Sequence, residues 1–488
     1  MKKIYTIILL LAIALPSCND WLDINPELEM RETLVFDSEQ GFKDVLTGAY
    51  IRMATPSLYG LNTTVLLPEF MTRHWTRSLS SPIMTQAGNL DFTQTEGKAI
   101  LETIWLQYYQ TIINLNALLA EIDARQDLFS YGNHDLIKGE ATGLRAFLHL
   151  EVLRLWGVTP RDMVMSDKAI PYVTVVTKNP NALLSLTYRE VLDKILADLD
   201  EAERLLANDP ILLYSNTVLN SIGTTAGVNE NNPHPEDEFH YFRQVRFNYF
   251  AVKATKARYY SWIGNAARAA ELALEVINAQ SSDGTVQFTL GSEMDAGLGQ
   301  LTFPAEHVFA VSNSLATQTI TLIFNDAINA YTQNAAQLQT AYESTLHTGD
   351  SRFRNNRLWE AKQVPLSTGT FNFFKKYRET ETTCVTDMPL IRLAEMYLIA
   401  VEGGNIDLFR TYRIARGLDA SIDGTLVDDD AVMARLEKEY RKEFYGEGQM
   451  FFFYKRLRYE RFTWPTPVKE ISAASYRLPI PESQSMFE

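Results

Sequence analysis

Residues 249–279, YFAVKATKARYYSWIGNAARAAELALEVINA, decide the architecture of this chain. Tyr249–Ile263 is rich in alanine and aromatic residues, and Gly264-Asn265 supplies a C-cap followed at once by an N-cap. Ala266–Ala279 then continues as a second helix. Ala254, Ala257, Ala266 and Ala270 place small side chains where two antiparallel helices must approach closely. One such pair cannot bury its own apolar faces, so it calls for further helices stacked beside it, the logic of tetratricopeptide-like units.

Those neighbours are legible on both sides. Leu101, Ile104, Trp105, Tyr108, Ile112, Leu115, Leu119 and Ile122 recur at the spacing of one helix face. Ala141, Leu144, Leu148, Val152 and Leu155 repeat it, with Gly157 and Pro160 to stop the helix. Thr187 and Glu190 form a capping box ahead of Tyr188, Val191, Leu192, Ile195, Leu199, Ala202 and Leu206. Pro389–Glu402, Gly403-Gly404-Asn405 and Ile406–Arg416 read as a second helix pair. Asp428-Asp429-Asp430 opens a helix through Glu443, its carboxylates suited to the positive helix end rather than to a metal. No fixed period links the pairs. Ser215–Gln244 reads as a long exposed loop, and Thr285–Leu290, His307–Val311 and Thr319–Phe324 alternate like short strands.

Charge and composition exclude several functions. The 488 residues carry 45 basic and 60 acidic side chains, a net −15, which disfavours nucleic acid as a partner. Two cysteines, Cys18 and Cys384, give no disulfide framework, and Cys384 reads as a small core hydrophobe. There is no phosphate loop, no nucleophile elbow and no His-Glu-x-x-His zinc motif. His234 and His240, the nearest pair of histidines, lie in the polar loop and read as solvated. No catalytic residue, cofactor or metal site is assigned.

The N-terminus reads as an address. Lys2 and Lys3 precede the uncharged run Ile4–Leu15, too short to cross a bilayer and of signal-peptide length. Leu15-Pro16-Ser17-Cys18 has the form of a bacterial lipoprotein box, so residues 1–17 are expected to be removed and Cys18 acylated. Two or three acyl chains hold lastingly, each buried methylene contributing about 0.8 kcal/mol.

Aromatic residues carry what binding signal there is. Tyr59 and Trp75, with Glu69, Arg73 and His74 near them, occupy a segment between the first two long helices, and Trp359 follows the basic stretch Arg352–Arg357. Flat rings beside hydrogen-bonding groups suit a sugar, which offers an apolar C–H face and a set of hydroxyls. The plainer reading is that each ring plugs the scaffold beneath a loop.

Several segments together resemble the SusD/RagB family of nutrient-binding outer-membrane lipoproteins. Cys18-Asn19-Asp20-Trp21-Leu22-Asp23-Ile24-Asn25-Pro26 resembles its mature start. Gly139-Glu140-Ala141, Leu144-Arg145-Ala146 and Leu155-Trp156-Gly157 resemble one of its helices, and Pro389–Leu398 its most distinctive helix. Glu443–Gly448 and Leu478-Pro479-Ile480-Pro481 resemble its C-terminal signatures. Val158, Gly403, Tyr440 and Met450–Tyr454 depart from the pattern, which bears on ligand class more than on fold.

The resemblance implies a mostly α fold, a tetratricopeptide-like α/α superhelix with an irregular ligand-facing half and a few short strands. It implies one body over 18–488, with scaffold at 30–60, 98–206, 245–280 and 387–460, and ligand-facing segments at 59–97, 207–244 and 281–386. It further implies a surface lipoprotein of the outer membrane, anchored through Cys18, that captures a glycan for a SusC-like TonB-dependent transporter. Alternatives are a peptide-binding importer subunit of the same family, an envelope scaffold of helical repeats, and a glycan hydrolase.

Overall fold

The computed structural model describes residues 35–76, 81–177, 179, 183–325, 330–363, 370–378, 386–419 and 424–485. The expected signal peptide 1–17, Cys18 and Cys384 lie outside the described residues. Helix α1 (Glu39–Met53) starts at Ser38, whose hydroxyl accepts the Gly41 N–H. The short helices α2 (Leu67–Met71) and α3 (Pro82–Gly88) follow, then α4 (Thr95–Glu121), α5 (Asn133–Trp156) and α6 (Tyr188–Leu205). Helices α7 (Tyr249–Trp262) and α8 (Ala266–Ile277) are the pair from which the sequence reading began.

Local chemistry sets these limits. The α5 helix ends at Gly157 in extended conformation, as expected. At the start of α6 the Thr187 hydroxyl accepts the Glu190 N–H at 3.3 Å, and the Glu190 carboxylate accepts the Thr187 N–H at 2.8 Å. Asn265 caps α8 through the Arg268 N–H. Successive helices pack in a chain, α1 on α4, α4 on α5, α5 on α6, α6 on α7 and α7 on α8. Glycine permits the closest approach: a Cβ on Gly143 would lie 2.4 Å from the Phe247 ring.

Strand β1 (His307–Ser312), helix α9 (Ser314–Asn325), strand β2 (Thr332–Gln333), helix α10 (Ala335–Ala341) and strands β3 (Trp359–Gln363), β4 (Thr370–Phe374) and β5 (Asp387–Arg392) form the second half. Helices α11 (Leu393–Glu402), α12 (Ile406–Ala415), α13 (Asp429–Glu443) and α14 (Gln449–Leu457) complete it. β1 pairs antiparallel with β5, and β2, β4 and β3 form a three-stranded sheet. α8 packs on α11, which closes the superhelix onto the C-terminal half. There a Cβ on Gly403 would lie 2.4 Å from the Ala270 Cβ and 2.7 Å from the Ala266 carbonyl oxygen.

Four sequence expectations are corrected. Residues 389–392, expected as helix, lie in β5, because a buried apolar run fits either element and Pro389 favours extended backbone before it. Thr319–Phe324, expected as strand, lies in α9, where Ile320 and Phe324 are buried four residues apart and Leu322 faces out. Thr285–Leu290 forms no strand, only an isolated bridge from Val286 to Gln280. The segment 215–244 is not wholly exposed either, since Arg243 is enclosed and its guanidinium donates to Asp209 at 2.9 and 2.8 Å and to Glu140. His240 meets Asn133 at 3.0 Å and His234 meets the Tyr241 hydroxyl at 3.1 Å, so each has a protein partner.

A buried charge network ties the second half together. The Glu443 carboxylate accepts from Arg416 at 2.7 and 2.8 Å, from Arg392 at 2.7 Å and from Arg352 at 3.0 Å. Glu306 and Glu447 also bind Arg392, and Asp350 and Glu439 bind Arg352. Burial pushes the Glu443 carboxyl up, but Arg416, Arg392 and Arg352 together hold it well below the usual carboxylate range. Such a cluster contributes little net stability against an apolar core, but it penalises the loss of any one member.

Candidate functional site

The segment after α1 is helical rather than irregular. A π-turn over Asn62–Leu66 runs directly into α2, and the chain leaves α2 through Arg73, whose φ of 62° is left-handed. The Arg73 N–H donates to Phe70 O and the His74 N–H to Glu69 O, which closes the helix end. This reversal turns the Arg73 side chain outward while Glu69 and His74 stay inside.

Glu69 and His74 form a clamp with no exposed side-chain surface. One Glu69 carboxylate oxygen lies 2.6 Å from His74 Nδ1; the other accepts the backbone N–H groups of Gly446 and Gly448, at 3.0 and 2.8 Å. The His74 ring stacks on Tyr445 at 4.9 Å. The clamp therefore joins the α2 turn to the 443–448 signature loop. Gly446 and Gly448 have φ of 75° and are close-packed, a Cβ on Gly448 reaching 3.0 Å from Pro68, so glycine is required at both.

Trp75 is 3% and Trp359 2% exposed, and their rings meet at 6.1 Å within one aromatic knot that includes Phe324, Phe374 and Tyr445. The Trp75 indole N–H donates to Val65 O at 2.8 Å. Tyr59 lies elsewhere, 3% exposed and packed edge-on against Tyr108 of α4 and beside Phe147 of α5. The structure thus brings Trp75, Trp359, His74 and Glu69 together as an interior support and keeps Tyr59 apart in the scaffold. Neither Tyr59 nor Trp359 presents a ring face to solvent.

Above this support lies a cleft of about 360 Å³. Phe70, Trp75, Met84 and Pro465 give it apolar ground, and Arg73, Thr76, Asn89, Gln333, Asn334, Gln337 and Thr466 give it hydrogen-bonding groups. Its walls are cross-braced. Gln333 Nε2 donates to His74 O at 2.8 Å, and Thr76 and Thr332 exchange backbone hydrogen bonds at 2.8 Å. Gln337 Nε2 donates to the Thr466 hydroxyl at 2.5 Å, and its own side-chain oxygen accepts the Thr466 N–H at 3.1 Å. Arg73 Nη1 donates to Pro467 O at 2.9 Å. Of the six residues singled out in the sequence, Arg73 and Trp75 border the cleft.

Asn89, Gln333, Gln337 and Thr466 were missed by sequence reading. The local signal for them is weak: Asn334 is visible as the N-cap of α10, where it accepts the Ala336 N–H, and little else marks the wall. Fixed amides around apolar ground can orient a ligand rich in hydroxyls. Among the described residues no group of three or more His, Cys, Asp or Glu side chains is placed to hold a metal ion. No helix among them is long and apolar enough to cross a membrane.

Residues 20–226 match the SusD-like family described as starch-binding and associating with the outer membrane. A SusD-like protein of Formosa agariphila is 22% identical over 484 residues, covering 91% of this chain and 89% of its own. A SusD-like carbohydrate-binding protein of Bacteroides vulgatus superposes with a TM-score of 0.68 at 17% identity, covering 92% of this chain and 96% of that one. A laminarin-binding SusD-like protein superposes with a TM-score of 0.60 at 16% identity, covering 92% of this chain and 98% of its own. The mostly α fold with its few short strands is the fold of these structures. Residues 20–226 thus match the SusD-like family, and nearly the whole chain shares the fold of SusD-like structures.

Proposed function

We propose that this protein is a non-catalytic glycan-binding lipoprotein of the cell surface that hands oligosaccharide to a SusC-like TonB-dependent transporter. The cleft over α2 carries the reading. Side-chain amides and hydroxyls, fixed by hydrogen bonds to one another and to the backbone, stand around apolar ground contributed by Phe70, Trp75 and Met84. That combination matches the two faces of a pyranose. The family description as starch-binding and the laminarin-binding relative support a glycan over a peptide.

Glycoside hydrolysis needs two carboxyl groups at the bond to be cut. Among the described residues no Asp or Glu lines the cleft, and this supports binding without cleavage. In the same reading residues 1–17 are a signal peptide, Cys18 carries the acyl chains, and 18–488 is one body. Two experiments test it. Labelled palmitate should enter the full chain and not a Cys18→Ser variant, and an oligosaccharide that binds should be recovered intact after prolonged incubation. Absence of label, or shortened product, would refute the corresponding part.

A further inference from the structure

The charge of the cleft runs against the charge of the chain. The protein carries a net −15, yet among the described residues the cleft walls hold no carboxylate and one full charge, the guanidinium of Arg73. Arg73 is half-buried and its positive φ fixes the direction in which it leaves α2. One of its N–H groups donates to Pro467 O, and among the described residues no acid lies within ion-pair distance of it. The rim beside it repeats the pattern. Asn89, which lines the cleft, accepts from the ammonium of Lys469 at 3.1 Å, and Lys469 has no acidic partner among the described residues.

Several of this chain's half-buried and buried arginines pair with carboxylates, as at Arg145 with Asp198 and Arg456 with Glu402. An arginine left with most of its donor fork uncommitted, in a cleft without acids, is matched by an oxyanion arriving with the ligand. The planar fork fits a carboxylate in two parallel hydrogen bonds and serves a sulfate ester as well.

Resting on the reading of the cleft as a glycan site, we infer that its ligand is an acidic oligosaccharide, whose carboxylate or sulfate is held by Arg73 with Lys469 at the rim. The neutral hydroxyls are then left to Gln333, Gln337 and Thr466. The same polarity counts against basic peptides at this cleft, although the overall acidity of the chain would favour them.

The test is calorimetry with soluble protein starting after Cys18 against three probes: oligogalacturonates, the same oligomers after carboxyl reduction, and sulfated galactan oligosaccharides. Binding of one acidic probe should exceed that of the carboxyl-reduced neutral one by about ten- to a hundred-fold, the range of a charged hydrogen bond, and should weaken with added salt. Comparing carboxylate with sulfate identifies the acidic group. Arg73→Gln should remove most of that preference, and Arg73→Lys should restore part of it. The probe comparison needs no variant, so it stands even if a substitution at Arg73 impairs folding. Equal affinity for neutral and acidic glycans, or an acidic preference that Arg73→Gln leaves intact, would overturn the inference while leaving a glycan site in place. Binding of no glycan at all would overturn the reading on which it rests.

Discussion

Glu443 and Arg392 meet at 2.7 Å with at most 1% of either side chain exposed, and Arg416 and Arg352 close on the same carboxylate. Glu443 ends α13 and opens the signature loop that Glu69 clamps from the other side. One acidic residue therefore sets both the charge balance of the core and the position of the loop beneath the cleft. Replacing it by glutamine removes a charge and leaves three enclosed guanidiniums short of compensation. Glu443→Gln should lower unfolding free energy by about 3–5 kcal/mol, read as a lower urea midpoint with unchanged slope. A loss under 1 kcal/mol would show that the network reorganises freely.

The contact between α8 and the turn after α11 depends on the absence of a side chain. A Cβ on Gly403 would sit 2.4 Å from the Ala270 Cβ and 2.7 Å from a backbone oxygen, neither of which is the end of a flexible side chain. Gly403→Ala should cost about 1–3 kcal/mol by overpacking, despite the higher helix propensity of alanine. Thermal unfolding measures it; a gain in stability would contradict the packing described.

His149 makes the protein acid-sensitive. Its Nδ1–H donates to Arg145 O at 2.8 Å, its Nε2 accepts the Val173 N–H at 3.0 Å, and its ring stacks on Tyr172 at 3.8 Å. Burial, with the nearby Arg145 charge, pushes its pKa down to about 3. The unfolded chain takes up this proton below about pH 6.5, whereas the folded chain refuses it until about pH 3. The stabilisation is therefore complete above pH 6.5 and is lost as pH falls from 6.5 towards 3. Between pH 6 and 4 a His149→Gln variant should show a stability slope shallower than the parent by about 1.4 kcal/mol per pH unit. Parallel slopes would assign the acid sensitivity to other groups.

Trp75 supports the cleft from below and has one edge at its wall. Trp75→Ala should lower stability by about 3–5 kcal/mol, as expected for an enclosed aromatic, and should weaken any ligand the parent binds. Unchanged affinity, measured where the variant is still folded, would remove Trp75 from the site.

The contrast between scaffold and cleft shows what a sequence carries. Asn265, the Thr187–Glu190 box, Gly157 and Asp428 announce helix ends because capping is a contest among adjacent residues, and all four appear as read. Pro389–Arg392 was misread because β5 owes its conformation to pairing with β1, about eighty residues earlier in the chain. The cleft wall was invisible for the same reason, since Gln333 reaches His74 across 259 positions and Gln337 reaches Thr466 across 129. Trp75 could be picked out, but a tryptophan among polar neighbours looks the same whether its ring points outward or into a knot with Trp359 and Tyr445. Arg73 was found by its company, while the absence of any acid around it is a property of the folded wall alone.

Isothermal titration calorimetry of soluble protein starting after Cys18, against a broad panel of neutral and acidic polysaccharide fragments, bears most directly on the central claim. Saturable heat with at least one glycan, and recovery of that glycan uncut, is the predicted result. No heat with any glycan, together with saturable heat from peptides, would contradict it.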